Sequence, residues 1–172
     1  MKKIFFLIIV FVMTLNAQQA GFKIVKSSKN SKPMLVGVCS RAELTNPQFG
    51  NWFKNEYNSY KPKFSDKEEV SSKLREYNIV IVMGTWCPDS RREVPRFYKI
   101  LDSVNFPKDK VKLITVDRRK KGLAAETKGL DIRRVPTFVF YKEGKEVGRI
   151  IEHPSFDRLE DDIENILHAV KK

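Results

Sequence analysis

The stretch IVIVMGTWCPDS, residues 79–90, decides how this chain reads. Five consecutive apolar residues, Ile79 to Met83, mark a strand buried on both faces, as in the centre of a parallel sheet. Thr85 to Ser90 then forms a loop, and a helix is expected from about Ser90 to Val104. Val94, Phe97, Ile100, Leu101 and Val104 recur on its inward face at helical spacing. Pro95 lies inside that helix and should kink it. Cys87 therefore stands where a buried strand ends and a helix begins. Its sulfur would face unpaired backbone N–H groups and the positive end of the helix dipole. Those surroundings favour the thiolate, the nucleophilic form of cysteine. Arg91 and Arg92 add positive potential, partly opposed by Asp89. The plainer alternative is an inert buried cysteine.

Outward from this junction, strands and helices alternate. Val111 to Val116 (VKLITV) reads as a second central strand, and Leu123 to Lys128 as a short helix. Thr137 to Tyr141 and Glu146 to Ile151 form a hairpin around the turn Lys142-Glu143-Gly144-Lys145. Ser155 can cap a last helix with Leu159, Ile163, Ile166, Leu167 and Val170 on one apolar face. Upstream, Ser65-Asp66-Lys67-Glu68 has capping-box spacing and precedes Val70, Leu74 and Tyr77. Strands separated by helices imply parallel pairing in the centre, and the hairpin adds antiparallel strands.

The N-terminal third has a different texture. Residues 18–32 are polar and read as a loosely held segment, and Pro33 to Cys39 (PMLVGVC) as a short strand. Ser40-Arg41-Ala42-Glu43 offers a second capping box. Asn46-Pro47 looks like a helix start, and Phe49, Trp52, Phe53, Tyr57 and Tyr60 then place most of their rings on one helix face. Such an aromatic stripe serves more often as core than as a ligand cage.

The first seventeen residues read as a removable leader. Lys2 and Lys3 precede an unbroken apolar run, Ile4 to Met13, and cleavage is expected between Ala17 and Gln18. Roughly twelve apolar residues fall short of the ~20 that span a bilayer, so no stable membrane span is expected after cleavage. Export follows, with the periplasm as the expected destination and secretion as the alternative. The organisation is then 1–17 leader, 18–63 extension with an aromatic amphipathic helix, and 64–172 the main domain.

The full chain of 172 residues carries 33 Lys+Arg against 21 Asp+Glu, a net +12. Loss of Lys2 and Lys3 with the leader leaves +10. The basic residues are dispersed in short pieces such as Arg118-Arg119-Lys120-Lys121 and Arg133-Arg134. A solvated basic surface explains them better than a polyanion site, and no nucleic-acid partner is expected. Two cysteines, Cys39 and Cys87, exclude a disulfide scaffold or a four-cysteine zinc module. His153 and His168 are too few and too scattered for a metal site. Neither is placed beside Cys87 as a papain-like hydrolase would require, and no phosphate-cradling glycine loop appears.

Trp86-Cys87-Pro88-Asp89-Ser90 resembles the W-C-x-x-C active-site segment of the thioredoxin superfamily, with serine at the second cysteine. Pro95, eight residues after Cys87, matches the helix-kinking proline of that family. Val135-Pro136-Thr137 resembles its cis-proline loop, and the strand–strand–helix ending is also similar. The resemblance covers roughly residues 64–170. It implies a thioredoxin-like α/β fold, a central mixed sheet flanked by helices, here with an N-terminal helical extension. It also implies thiol–disulfide exchange without a cofactor, on protein disulfides or low-molecular-weight thiols. Cys87 would be the nucleophile, with Ser90 hydrogen-bonded to its thiolate. Trp86, Pro88, Val135 and Pro136 would hold the substrate, Val135 by pairing its backbone with a substrate strand.

Two departures qualify that expectation. Ser90 cannot resolve a mixed disulfide, and Ile81 stands where thioredoxins carry a buried carboxylate six residues before the first cysteine. Three readings follow: exchange through Cys87 alone, a two-cysteine cycle with Cys39 as a remote resolving thiol, or a binding module without turnover. Cys39 reads otherwise as a small core residue.

Overall fold

The computed structural model describes residues 21–26, 32–49 and 51–169. The expected leader, residues 1–17, and Val170 lie outside them. Among the described residues six strands form one sheet: β1 Phe22–Lys26, β2 Pro33–Cys39, β3 Tyr77–Met83, β4 Val111–Thr115, β5 Thr137–Lys142 and β6 Lys145–Ile151. The helices are α1 Arg41–Leu44, α2 Trp52–Ser59, α3 Lys67–Leu74, α4 Pro88–Ser103 and α5 Leu159–Ala169.

The spatial strand order is β1-β2-β4-β3-β5-β6. Strands β3 and β4 pair in parallel, with Ile81 opposite Leu113, and α4 supplies the crossover that a parallel pair needs. The other neighbours are antiparallel. Glu143 (φ 51°) and Gly144 (φ 77°) close the β5–β6 hairpin through two consecutive positive-φ residues. That is the turn whose twist matches the flanking strands.

Alternation along the strands divides the core into two layers. Ile79, Ile81, Met83, Leu113, Phe138 and Phe140 point to one side. There they meet Val94, Phe97, Ile100 and Leu101 of α4, Leu159 and Ile163 of α5, and Val70 and Leu74 of α3. Phe97 stacks on Phe138 with centroids 4.3 Å apart. Val82 and Ile114 point the other way and join Val116, Cys87 and Val135 in a smaller cluster, bordered by Trp86, Leu130 and Ile132.

Several local expectations are corrected. Residues 22–26 are not loose but form β1, paired antiparallel with β2 from Phe22–Gly37 to Lys26–Pro33. Backbone pairing holds this edge strand, whose lysines and exposed Phe22 and Ile24 left little hydrophobic signal. Residues 123–128 form turns rather than a helix. The Lys128 and Leu130 N–H groups bond three residues back, to Ala125 and Thr127. The Glu126 carboxylate accepts the Ala124 N–H, and the segment is too short to nucleate helix by itself. The cap of α3 is Asp66, which accepts the Glu69 N–H; Ser65 instead bonds Glu164 of α5. Ser155 likewise gives its N–H to Asp162 and lies four residues ahead of α5. Asn46-Pro47 opens only a 3-10 turn, Pro47–Phe49, separate from α2. The Ser40–Glu43 capping box forms as expected.

Candidate active site

β3 stops at Met83 because the chain must turn into α4, and Gly84 permits the turn. A Cβ there would lie 2.6 Å from the Trp86 ring. The Cys87 N–H closes the turn on the Gly84 carbonyl at 2.9 Å. Cys87 is the N-cap of α4, with extended backbone (φ −88°, ψ 125°), and its carbonyl accepts the first helical bond from Arg91. Pro88 at the first helical position lacks an N–H that would otherwise be orphaned. The helix thus begins two residues earlier than the spacing suggested.

The Cys87 thiol is 7% exposed. It donates to the Val135 carbonyl at 3.2 Å, across 48 residues of sequence. The Val135–Pro136 peptide is cis. The structure thus brings together Cys87 with Val135, Pro136 and Trp86, and leaves Pro88 exposed at the helix start. The Trp86 indole N–H bonds the Val116 carbonyl at 2.9 Å, and the Arg118 guanidinium lies 5.1 Å over its ring.

Ser90 does not face the sulfur as expected. Its fully buried hydroxyl oxygen accepts the Gly84 N–H at 3.2 Å, satisfying the donor left at the end of β3. No hydrogen bond joins it to Cys87 among the described residues. Ile81 is fully buried in the helix-side core, where a carboxylate would have no partner. Arg92 bridges Asp89 and Glu93 at 2.9 and 2.5 Å, so its charge is spent on the helix itself.

Two supports escaped the sequence reading. The buried Thr85 hydroxyl accepts the Leu35 N–H at 3.1 Å, tying the loop to β2. Arg91 donates to the Thr85 carbonyl at 2.6 Å while lying 5.8 Å from the Trp52 ring of α2. Only the Gly84-Thr85 pair between strand and tryptophan could have hinted at them.

The structure does not bring Cys39 to Cys87. Both are free thiols. Cys39 ends β2 opposite Leu113 and belongs to the helix-side core, whereas Cys87 belongs to the other cluster. It lines a cavity of about 320 Å³ with Arg41, Tyr98, Leu101 and Asp102. Tyr98 lies eleven residues along α4 from Cys87, roughly 16 Å at 1.5 Å per residue. A disulfide needs Cα atoms within about 7 Å.

Burial pushes the Cys39 thiol up to about 12, outweighing its contact with the Thr115 hydroxyl. Two outcomes follow. Iodoacetamide at pH 7.5 should label Cys39 only after denaturation, as peptide mapping would show. Stability should also fall as pH rises above the unfolded thiol's value of 9.0, because the folded state keeps a proton that the unfolded state has lost. The slope is at most about 1.4 kcal/mol per pH unit up to pH 12. Between pH 9 and 10 this loss precedes that from the buried tyrosines, and urea melts of a Cys39→Ala protein should show a flatter profile there.

With this geometry in view, comparison with known proteins gives a consistent answer. A family model described as Thioredoxin matches residues 50–159. The chain belongs to the thioredoxin family. It is 32% identical over 92 residues to Thioredoxin Asp f 29 of Aspergillus fumigatus, covering 52% of this chain and 80% of that protein. Among solved structures it is similar to mitochondrial thioredoxin 3 of Saccharomyces cerevisiae at 22% identity and TM-score 0.38, covering 64% of this chain and 98% of the other. It is also similar to thioredoxin O2 of Arabidopsis thaliana at 19% identity and TM-score 0.37, with 63% and 92% covered. Among the described residues, this thioredoxin-family chain has no helix long and apolar enough to cross a membrane, and no grouping of His, Cys, Asp and Glu that could hold a metal.

Proposed function

We propose that this thioredoxin-family protein is an exported thiol–disulfide exchange protein that works through Cys87 alone. The observation that carries the reading is the placement of the Cys87 sulfur. Cys87 is the N-cap residue of α4, and its thiol donates to the Val135 carbonyl of the cis-proline loop at 3.2 Å, while the position that would hold a resolving thiol carries Ser90, bonded to Gly84.

The chemistry balances without a second protein thiol. The Cys87 thiolate attacks one sulfur of a substrate disulfide, forming a Cys87–substrate mixed disulfide and releasing the other sulfur as a thiolate. A thiol of the substrate, or a small thiol, then attacks the mixed disulfide and returns Cys87 to the thiolate. No net electrons are taken up when the substrate's own thiol closes the cycle, which is isomerisation. A small thiol closing it gives deglutathionylation-type exchange. Trp86, Pro88, Val135 and Pro136 border the approach to Cys87, which is 7% exposed.

Substituting Ser90→Cys tests the assignment. Ser90 lies three residues from Cys87 across the first turn of α4, within the span of a disulfide. With a disulfide-containing peptide and no added thiol, the wild-type protein should accumulate a mixed disulfide on Cys87 in intact-mass spectra. The S90C protein should release the peptide at least about tenfold faster, ending in an internal disulfide between Cys87 and the introduced thiol. Absence of any Cys87 adduct would favour the rival reading, a thioredoxin-fold binding module. The replaced carboxylate at Ile81 and the covered sulfur are the observations on that side.

A further inference from the structure

We propose that the basic turn beside Trp86 selects the partner of this site: disulfide-bearing protein segments rich in aspartate and glutamate. The inference rests on the exchange reading above and adds a substrate class to it.

Residues 117–134, which join β4 to the cis-proline loop, carry seven cationic side chains against three carboxylates. Two of those carboxylates are turned onto backbone. Asp117 accepts the N–H groups of Arg119 and Lys121 at 2.8 and 2.9 Å, and Glu126 accepts that of Ala124. The third, Asp131, pairs with Arg133 at 3.1 Å. The Asp117 N–H also bonds the Lys121 carbonyl, so the turn 117–121 is closed at both ends. This rigid turn displays Arg118, Arg119 and Lys121 to solvent.

Its position is fixed against the site. Val116, just before the turn, accepts the Trp86 indole N–H, and Arg118 lies over the Trp86 ring. Trp86 immediately precedes Cys87. On the far side of the sulfur, Arg134 adjoins Val135, with its guanidinium paired to Glu152 at 2.6 Å. A chain laid across Cys87 between Trp86 and Val135 therefore runs under a positive rim. Charges within about 10 Å act on such a chain at ordinary ionic strength. Lysine or arginine beside the substrate cysteine would be repelled, and aspartate or glutamate attracted.

A peptide pair tests this without depending on exchange chemistry. Two peptides share one sequence with alanine in place of cysteine, flanked in one by Asp and Glu and in the other by Lys. Binding is followed by tryptophan fluorescence at 20 and 300 mM salt. At 20 mM salt the acidic peptide should bind at least about tenfold more tightly, and salt should erase most of the difference. Arg119→Glu with Lys121→Glu should abolish the preference. Both side chains lie outside the catalytic machinery, and the Asp117 bonds use backbone N–H groups that the changes leave intact.

Equal binding of the two peptides, or a preference unmoved by the double variant, overturns the proposal. Equal affinity for a DNA oligonucleotide of the same charge would overturn the peptide assignment in favour of general polyanion binding. A parallel reaction of Cys87 with anionic 5,5′-dithiobis(2-nitrobenzoate) and neutral 4,4′-dithiodipyridine separates the two failures. Silence toward both reagents sinks the exchange reading, whereas equal charge response sinks only the selectivity. An anion preference seen with the reagents but absent with the peptides would assign the rim to small carboxylate-bearing disulfides and overturn the protein-segment proposal.

Discussion

Cys87→Ser should lower disulfide exchange at least about 10³-fold, to the rate of the uncatalysed reaction between substrate and added thiol. A hydroxyl at this position can still accept and donate hydrogen bonds, so the fold should persist, but oxygen cannot form or leave a disulfide. Cys39 offers no rescue. It lies in the other core layer, and burial keeps its thiol protonated near neutrality. The complementary variant, Cys39→Ser, should therefore exchange at the wild-type rate within about twofold once allowance is made for any unfolded fraction. Glutathione release from a labelled mixed-disulfide peptide measures both. Activity surviving in Cys87→Ser, or lost in folded Cys39→Ser, would refute exchange through Cys87 alone.

Glu160→Ala should be the most damaging single change to stability among the polar residues, at about 3–5 kcal/mol. Glu160 opens α5 and is fully buried. Its carboxylate accepts the Tyr60 hydroxyl at 2.6 Å and the Lys63 N–H at 2.8 Å, and pairs with Arg158 at 3.0 Å. One side chain thus fastens α5 to the segment after α2. Alanine would strand the Lys63 N–H and the Tyr60 hydroxyl and leave Arg158, whose Nε already lacks a partner, with the Lys61 carbonyl alone. Burial, and after it the hydrogen bond to the Glu160 carboxylate, holds the Tyr60 hydroxyl protonated. For a chain of this size the loss corresponds to a fall in Tm of about 10 °C. Glu160→Gln, which keeps an acceptor for Tyr60 and Lys63 but not the charge for Arg158, should lose less than half as much. Equal melting of Glu160→Ala and wild type would show that the cluster contributes nothing net.

Glu160 also shows why sequence reading stops where it does. In the one-dimensional pattern it is an acidic residue in the first turn of an amphipathic helix, indistinguishable from Asp161. Arg158 is a near neighbour, but Tyr60 and Lys63 lie about a hundred residues upstream, beyond any local signal. Thr85 is similar: a hydroxyl in a loop until β2 brings the Leu35 N–H to it. Ser90 shows the opposite failure. Its spacing from Cys87 suggested a bond to the sulfur, but its hydroxyl accepts the Gly84 N–H left at the end of β3. Edge strand β1 escaped because backbone hydrogen bonds hold it, and these do not depend on side-chain hydrophobicity.

The sequence by itself determined the strand-to-helix junction at Cys87, the parallel centre, the hairpin ending and the family. Each rests on local periodicity, on turn residues or on a short motif, all properties of neighbours along the chain. Tertiary structure alone decided that Ser90 turns to Gly84, that Cys39 stays apart from Cys87, and that the basic turn lies beside Trp86. Those outcomes depend on strand order and on which face of the sheet each side chain takes. Both are set by packing the whole core at once, because no segment of this chain can bury its apolar face alone.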